Sequence, residues 1–413
     1  MNINFNSDFL DIMYERGFIH QVTDKENLKK AIHKGCIPGY IGFDCTAPSL
    51  HVGSLVQIMM LRWFQKTGNK PIVLMGGGTT KIGDPSGKDT ARPLLSNEKI
   101  KENQNSLRTV FDKYLNFGNA ENDAVMLDNS EWLEKLNYIS FLRDFGSSFS
   151  INKLINLESV KIRLEREQNL SFLEFNYSLL QAFDYLKLNQ DYSCKLQMGG
   201  SDQWGNIVTG VELVRKKTSE SVYGLTSPLL TTSSGAKMGK TASGAVWLNS
   251  NQLSDWDFWQ YWRNTEDLDV IKFIKLFTEL PLDEINRLEK LKGAEINQAK
   301  IILANEVTKL CRSEEAANKI SVSSENVFNR KETNETLPSI NVADNQISLI
   351  DALKSLNFVQ TNGEARRLIR GNGAKVNDYV ITDENQILKI EDYEKKSIKI
   401  SSGKKKHGLL KFS

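Results

Sequence analysis

Two short segments, far apart in the chain, contain residues suited to handling the phosphates of a nucleotide. The first is His51-Val52-Gly53-Ser54, between a predicted strand and the start of a predicted helix. A helix N-terminus offers unpaired N–H groups and partial positive charge, which favour phosphate. Gly53 lets a nucleotide approach the backbone closely, and His51 can donate to a phosphate whose charge grows during reaction. An ordinary helix cap with a structural histidine is the alternative for this motif alone.

The second segment is Lys237-Met238-Gly239-Lys240-Thr241, which follows a run of small, flexible residues at 231–236. Two lysines three positions apart, with a glycine between them, can wrap a pyrophosphate. A mobile loop lets them engage mainly in the transition state. Taken in isolation, the run is more typical of a solvated basic turn.

Two other phosphate-binding loops are excluded by their spacing. The stretch 83–89 superficially resembles a P-loop, but Ile82 occupies the position of the first glycine and Asp89 follows Lys88 where Ser or Thr is required. The triple glycine at 76–78 is followed by Lys81 where a dinucleotide fingerprint needs glycine. The sequence therefore favours neither a P-loop NTPase nor a dehydrogenase.

The elements around the first segment predict an α/β fold. Residues 38–43 indicate a turn and a short buried strand, 55–64 have helical periodicity, and 71–75 form a second apolar strand. A strand–helix–strand succession of this length implies a parallel unit, and hence a doubly wound, Rossmann-like sheet. Ligands on such sheets collect where strands end and loops begin. The chain is mostly helical by pattern over 96–188 and returns to the sheet at 195–198.

Composition limits the class of protein. With 413 residues, of which 40% are hydrophobic, the chain can bury a large core in two or three domains. The net charge is only +2, yet from Ile347 onward 13 Lys and Arg face 8 Asp and Glu, which indicates a basic terminal module for an acidic partner. The four cysteines are scattered and the histidines number four, so we expect reduced thiols and no protein-bound metal. The N-terminus lacks a signal-peptide pattern and the most apolar helix is too short for a bilayer, so we expect a cytoplasmic protein without membrane contact.

Together the two segments resemble the HIGH and KMSKS signatures of class I aminoacyl-tRNA synthetases. Three longer strings, starting at Tyr40, Tyr177 and Gly199 (YIGFDCT, YSLLQAFD and GGSDQWGN), are similar to the bacterial tyrosyl members, and the resemblance covers essentially the whole chain. It implies a tyrosine–tRNA ligase that activates tyrosine with ATP to tyrosyl-adenylate and pyrophosphate. The tyrosyl group then passes to the 3′-terminal ribose of tRNA(Tyr). The resemblance also implies Mg²⁺ bound with the ATP phosphates, and a homodimer.

The resemblance assigns roles to residues at the matching positions. Those implied for tyrosine are Tyr40 and Asp184 at the phenol, Asp84, Tyr177 and Gln181 at the α-amino group, and Gln203 at the reacting end. Those implied for ATP or the adenylate are Gly42, Asp44, Gly53, Ser54, Gly200 and Asp202. Those implied for the phosphates and catalysis are Thr46, His51, Lys88, Arg92, Lys237, Lys240 and Thr241. No protein base is needed, because the tyrosine carboxylate is already a nucleophile, so catalysis consists of positioning and charge stabilisation.

Two positions depart from the family pattern. Ser54 stands where His or Asn is more usual, which weakens the ribose role that the resemblance implies there. Ile41 stands where relatives can carry a polar ribose contact, so any such contact must be absent. Neither change removes the phosphate chemistry.

The terminal module contains a basic helix, a glycine-rich turn and a strand at 362–377. Arg366 and Arg370 are four apart and share a helix face, while Arg367 and Lys375 extend the patch. The module resembles the small RNA-binding domain of a ribosomal protein and many RNA-modifying enzymes, for which phosphate contacts are expected. A solvated charged surface is the alternative.

The expected organisation has four parts. They are a catalytic nucleotide-binding domain at 1–248 with a helical insertion at about 128–190, a helical tRNA-binding domain at 249–328, a linker at 329–346 and a small α+β RNA-binding domain at 347–413. Two other functions fit parts of the pattern. A synthetase-derived splicing factor without catalysis is disfavoured by the intact Lys237 and Lys240, and tryptophan as substrate is disfavoured by the pair Tyr40 and Asp184.

Overall fold

A computed structural model describes residues 8–84, 95–235, 238–241, 244–329, 337–342, 344–393, 397–403 and 406–412. The chain divides into two compact units. One comprises Met1–Gln252 with Thr265–Leu303, and the other comprises Leu253–Asn264 with Ala304–Ser413. Among the described residues, no helix combines the length and the apolar character needed to cross a membrane.

The regular elements alternate between strand and helix over the first half of the chain. The strands are β1 (Gln21–Val22), β2 (Pro38–Asp44), β3 (Lys70–Gly76), β4 (Val125–Asp128), β5 (Leu196–Gly200), β6 (Tyr223–Ser227), β7 (Lys240–Thr241), β8 (Gly244–Ala245), β9 (Ser339–Val342), β10 (Gln346–Ser348), β11 (Ala374–Val376), β12 (Tyr379–Val380), β13 (Ile387–Lys389), β14 (Ser397–Ser402) and β15 (Lys406–Phe412). The helices are α1 (Phe9–Glu15), α2 (Lys25–His33), α3 (Leu55–Lys66), α4 (Asn97–Phe111), α5 (Ser130–Leu133), α6 (Tyr138–Phe145), α7 (Ile151–Leu154), α8 (Glu158–Glu165), α9 (Phe172–Phe175), α10 (Tyr177–Tyr192), α11 (Trp204–Thr218), α12 (Asp255–Arg263), α13 (Val270–Phe277), α14 (Leu282–Leu288), α15 (Ile296–Cys311), α16 (Glu314–Asn329), α17 (Leu349–Ser355) and α18 (Asn362–Arg370).

The first unit is built on a six-stranded sheet of order β1-β6-β5-β2-β3-β4, parallel except for β1. This confirms the doubly wound α/β fold. Strand β2 pairs with β3 along its whole length, but its ladder with β5 contains only Gly39↔Leu196 and Tyr40↔Gln197. After β2 the chain adds β3 and β4 on one side of the sheet, and after β5 it adds β6 on the other side. β2 and β5 therefore flank the topological switch point, where ligands bind in such folds.

The strand–helix–strand unit forms because its residues are apolar on nearly every side. Ile72, Val73 and Leu74 of β3 are at most 2% exposed, as a central parallel strand covered on both faces requires. Helix α3 is likewise buried almost all round, including Phe64. A Cβ at Gly39 would lie 2.8 Å from the Phe64 ring, so the close packing of helix on strand depends on glycine at that position.

The helical insertion lies between β4 and β5. Helices α5 to α10 fill this stretch, and their apolar side chains share one core with the sheet. Its largest members are Tyr40, Trp132, Phe141, Phe183 and Tyr185. This shared core is what places residues of the insertion against the ends of the strands.

The second unit contains a five-stranded sheet of order β12-β11-β14-β15-β9. Helices α17 and α18 pack on it through a core that includes Leu353, Ile369 and Ile400. Strand β9 lies inside the stretch 329–346 that was expected to be a linker. It pairs in parallel with β15, and its Ile340 and Val342 pack into the core of this unit.

Candidate active site

A cavity of about 660 Å³ opens at the carboxyl ends of the parallel strands beside the switch point. The structure brings fourteen of the predicted site residues to its walls. They are Tyr40, Gly42, Asp44, Thr46, His51, Gly53, Ser54, Asp84, Tyr177, Gln181, Asp184, Gly200, Asp202 and Gln203. The cavity therefore joins the end of β2, the start of α3 and one face of α10, which are distant in sequence.

One wall of the cavity contains the buried carboxyl of Asp184. Trp132 Nε1 donates to its Oδ1 at 2.7 Å, and Asn129 Nδ2 donates to its Oδ2 at 2.9 Å. Burial raises the pKa of Asp184 to about 7, against the opposing effect of these two hydrogen bonds. The sequence did not reveal Asn129 or Trp132. Asn129 directly follows β4, and the end of a parallel strand was the signal available for finding it.

Tyr40 lies on the same wall, at the last position of β2 that pairs with β5. Its ring is 1% exposed and packs edge-on against Tyr185, with the ring centroids 5.3 Å apart. Burial, followed by the nearby carboxyl of Asp184, raises the pKa of Tyr40 well above its usual value, so the phenol stays protonated. Its hydroxyl has no hydrogen-bond partner among the described residues. Because buried polar groups are normally paired, this hydroxyl and Asp184 fit a ligand hydroxyl.

A network of amides lies beside this wall. Gln203 Nε2 donates to Asp84 Oδ2 at 2.9 Å, and Asn206 Nδ2 donates to Oε1 of both Gln181 and Gln203 at 3.1 Å. Asp84 is 9% exposed, so a carboxylate is held close to the cavity with a fixed donor beside it. An ammonium group is the chemical partner that such a carboxylate favours.

The first signature segment forms a short 3₁₀ turn, Val52–Ser54, that leads into α3. Gly53 N donates to His51 Nδ1 at 3.0 Å. Because Nδ1 accepts, a neutral His51 ring carries its proton on Nε2, so Nε2 is the donor nitrogen of the ring. Ser54 is the N-cap residue of α3, but its side chain makes no capping hydrogen bond.

The second signature segment lies against the first. Gly239 O accepts from Val246 N at 3.1 Å, and Val246 O accepts from Val52 N at 2.9 Å. Gly239 has φ +92°, and a Cβ on it would lie 2.8 Å from His51 Nδ1 and 2.9 Å from Gly53 N. Backbone contact between the two signatures thus depends on this glycine.

Several predicted phosphate-side residues are not described at the level of their side chains. Lys88, Arg92 and Lys237 lie outside the described residues, and Lys240 and Thr241 are described only as strand β7. Within the described ranges, no group of three or more His, Cys, Asp or Glu side chains is arranged to hold a metal ion.

The predicted basic helix, α18, presents Arg366, Arg367 and Arg370 on its exposed side. The sequence did not reveal that Glu384 lies opposite. Its carboxylate accepts from Arg370 Nε and, at 3.2 Å, from Arg370 Nη2, and it lies 3.7 Å from Arg366 Nε. Two of the predicted RNA-binding cations therefore share one acidic partner.

Comparisons with known proteins identify the family of this chain. The family model described as tRNA synthetases class I (W and Y) matches residues 34–329. A tyrosine–tRNA ligase of Novosphingobium aromaticivorans is 56% identical over 98% of this chain and 99% of the relative. A tyrosine–tRNA ligase of Zymomonas mobilis is 55% identical over 98% of each chain. A C-terminally truncated mitochondrial tyrosyl-tRNA synthetase of Aspergillus nidulans superposes with a TM-score of 0.70 at 30% identity, covering 78% of this chain and 94% of that one.

Proposed function

This chain belongs to the class I tRNA synthetases for tryptophan and tyrosine, among the bacterial tyrosine–tRNA ligases, and we propose from that premise how its residues share the reaction. It is a tyrosine–tRNA ligase: it forms tyrosyl-adenylate and pyrophosphate from tyrosine and ATP and transfers the tyrosyl group to tRNA. The assignment of the amino-acid end rests on the buried pair of Asp184 and the Tyr40 hydroxyl, which line one wall of the cavity. Among the residues that the structure describes, this hydroxyl has no hydrogen-bond partner.

The phenol of the substrate binds between Tyr40 and Asp184. Asp184 accepts a hydrogen bond from the substrate hydroxyl, while Trp132 and Asn129 donate hydrogen bonds to the same carboxylate from the protein side. Phenylalanine would leave the buried Tyr40 hydroxyl without a partner and would give Asp184 no further donor. That cost separates the two amino acids, a discrimination for which tyrosyl-tRNA synthetases are themselves the usual example. Tryptophan carries an N–H donor on a larger ring. Its recognition does not require a pair of groups that binds a phenol hydroxyl.

The α-amino group binds beside Asp84, Tyr177 and Gln181. The carboxylate of Asp84 pairs with the ammonium, and Gln203, whose Nε2 lies 2.9 Å from Asp84, reaches the carboxyl end of the substrate. These contacts present the tyrosine carboxylate to the α-phosphorus of ATP. One carboxylate oxygen bonds to that phosphorus as the bond to pyrophosphate breaks, so the protein supplies orientation and no base.

The phosphates of ATP bind at the turn formed by the first signature. His51, Gly53 and Thr46 line the same cavity, and they can offer an imidazole N–H, a backbone N–H and a hydroxyl to the phosphates. Lys88, Arg92, Lys237, Lys240 and Thr241 join them in this proposal. The positive charge of the lysine and arginine side chains stabilises the leaving pyrophosphate. Gly42, Asp44, Ser54, Gly200 and Asp202 are assigned to the nucleoside. A Cβ at Gly200 would lie 2.5 Å from Asp202 Oδ1, so glycine there lets that carboxylate fold over the end of β5.

Mg²⁺ enters with ATP in this proposal. The ion prefers oxygen ligands and usually keeps several waters, binding through phosphates with few protein groups. When bound, it neutralises charge on the phosphates.

The RNA-binding role belongs to the arginines of α18 and Lys375. They supply contacts to tRNA phosphates, which position the substrate without reading its sequence. The four-part domain division and the cytoplasmic location stay predictions.

A homodimer is supported by an exposed apolar patch on the insertion. Large side chains that monomers usually bury are open to solvent there, namely Tyr138 (54%), Ile139 (70%), Ile151 (61%), Leu164 (52%), Phe172 (67%) and Leu173 (46%). Exposed apolar side chains concentrated in one segment of the chain are typical of an interaction surface. A second copy of this chain is the partner we propose.

Amino-acid-dependent exchange between ATP and labelled pyrophosphate tests the activity. Exchange with tyrosine, together with little or none with phenylalanine or tryptophan, is the expected result. Charging of tRNA(Tyr) from the same preparation then tests the second step. A folded protein that binds tRNA but supports no exchange would indicate the splicing-factor alternative.

A further inference from the structure

Asn206 lies in the first turn of α11, behind two glutamines that line the cavity. It is 5% exposed, and α11 packs along α10, which carries Gln181. Its Nδ2 donates to Oε1 of Gln181 and to Oε1 of Gln203, both at 3.1 Å. Neither the sequence nor the proposed assignment of roles gives this residue a function.

The two hydrogen bonds decide which way each glutamine amide faces. An asparagine NH₂ group has two hydrogens, and here both are used on carbonyl oxygens. With Oε1 of Gln203 held by Asn206, its Nε2 turns to Asp84 Oδ2, 2.9 Å away. In the flipped orientation, Oε1 of Gln203 would face the carboxylate of Asp84, and two acceptors would meet without a hydrogen between them.

We infer that Asn206 is a positioning residue that sets the amide orientation of Gln203 and Gln181, and through Gln203 the donor that faces Asp84. The inference rests on the proposed tyrosine site, because Asp84, Gln181 and Gln203 are its assigned α-amino and carboxyl contacts. Asn206 is not itself assigned to the substrate. Asn206 therefore acts on the alignment of the bound amino acid, and it does not act on the binding of ATP.

Asn206→Asp is the variant that reverses the pattern. A carboxylate only accepts, so it attracts Nε2 of both glutamines and leaves Oε1 of Gln203 facing Asp84. We expect the tyrosine Kd, measured by calorimetric titration, to rise about tenfold or more, as for an unpaired group beside a charge. The KM for tyrosine in pyrophosphate exchange should rise similarly, while the KM for ATP stays within about twofold.

The pH dependence of the variant gives a signature that a purely structural role would not produce. Burial raises the pKa of an aspartate, so the new side chain gains a proton more readily as the pH falls. A protonated carboxyl regains one O–H donor. The ratio of variant to wild-type tyrosine Kd should therefore shrink toward the lower pH. Asn206→Ala removes the donor without reversing the pattern, so it should raise the tyrosine Kd without this recovery.

Asn189→Asp is the matched control. Asn189 lies on α10, is also 5% exposed, and also donates twice, to Cys194 O at 3.1 Å and to Glu220 Oε2 at 3.0 Å, but it does not line the cavity. It should lose stability without a selective change in tyrosine binding. The inference would be overturned if both Asn206 variants bound tyrosine with wild-type affinity. It would also be overturned if the Asn206 variants changed tyrosine and ATP binding equally, as the Asn189 variant does. Absence of exchange by the wild-type protein would instead count against the proposed function, and the calorimetric comparison would still decide the role of Asn206.

Discussion

Trp132 Nε1 donates a 2.7 Å hydrogen bond to Oδ1 of Asp184, although the two residues lie 52 positions apart and on different helices. Trp132 belongs to α5, which follows β4, and Asp184 belongs to α10, which precedes β5. Asn129 holds the other carboxylate oxygen. The helical insertion therefore supports the amino-acid end of the cavity from behind.

Replacing Trp132 with Phe should weaken tyrosine binding about tenfold, because the variant loses a hydrogen bond to a charged group. The Trp132 donor lowers the pKa of Asp184, so its removal should raise that pKa further above 7. Since a neutral carboxyl accepts less strongly, tyrosine affinity should fall as the pH drops through this pKa, and the midpoint should lie higher in the variant. Titration of the tyrosine Kd against pH checks both effects, with Trp256→Phe, a buried tryptophan of the other unit, as control. Equal midpoints would contradict the prediction.

Asp184 should make the ligand-free protein less stable as the pH rises from about 4 to about 7. Its pKa is about 7 in the folded chain against an ordinary 3.8, so the folded state holds the proton more tightly over this window. The contribution to the free energy of unfolding is present at low pH and is lost as the pH rises, by at most about 4 kcal/mol. Urea unfolding at several pH values should show a flatter dependence for Asp184→Asn than for wild type. An identical slope would show that this carboxyl does not titrate as described.

Gly239→Ala should slow adenylate formation by about a hundredfold, because the new methyl group would displace the second signature from His51 and Gly53. Tyrosine affinity should not change. Gly235→Ala is the control: Gly235 also has positive φ (+82°), but a Cβ there meets nothing within 4 Å. Single-turnover adenylate formation and tyrosine titration measure the two effects. Comparable slowing in both variants would point to backbone strain and not to contact between the signatures.

Glu384→Gln should increase tRNA affinity severalfold at low salt, because it releases Arg366 and Arg370 from an internal anion. The logarithm of the affinity should also fall more steeply with the logarithm of salt concentration, by about one unit of slope for each additional phosphate that the arginines neutralise. Filter binding across a salt series measures both quantities. Glu391→Gln removes the same charge at an exposed site beside Lys389 and should change little. A loss of affinity in Glu384→Gln would mean that this carboxylate holds the arginines in their RNA-binding geometry.

Phe172→Glu should shift the protein from dimer to monomer, since it places a charge within the exposed apolar patch. Light scattering coupled to size-exclusion chromatography gives the mass directly. Leu268→Glu, at an 85% exposed leucine outside the patch, should leave the mass unchanged. A wild-type monomer, or a dimer that tolerates Phe172→Glu, would place the interface elsewhere or remove it.

The sequence predicted the parts of the fold whose patterns are continuous. β2, α3 and β3 are apolar over whole elements, so their type and order could be predicted. β1 has two residues and β4 has four with polar neighbours, which is too short for periodicity to show. Ten of the fourteen cavity residues lie in three strings that resemble a family, three lie in the first signature, and Asp84 lies in neither. Asn129, Trp132 and Glu384 lie outside these segments, and Asn206 lies in one of them without a predicted role. Their importance arises from contacts between distant elements that no local spacing encodes.

The early end of the ladder between β2 and β5 has a consequence for how this site tolerates change. Past the Tyr40↔Gln197 pair, Gly42 and Gly199 face the cavity, so peptide groups form part of its walls. A peptide group offers the same N–H and C=O whatever side chain it carries. Nucleotide contacts made by this backbone can survive mutation, which accounts for an apolar Ile41 beside such a site. Substitutions should therefore affect nucleotide binding least where the main chain makes the contact. They should affect substrate binding most at Tyr40 and Asp184.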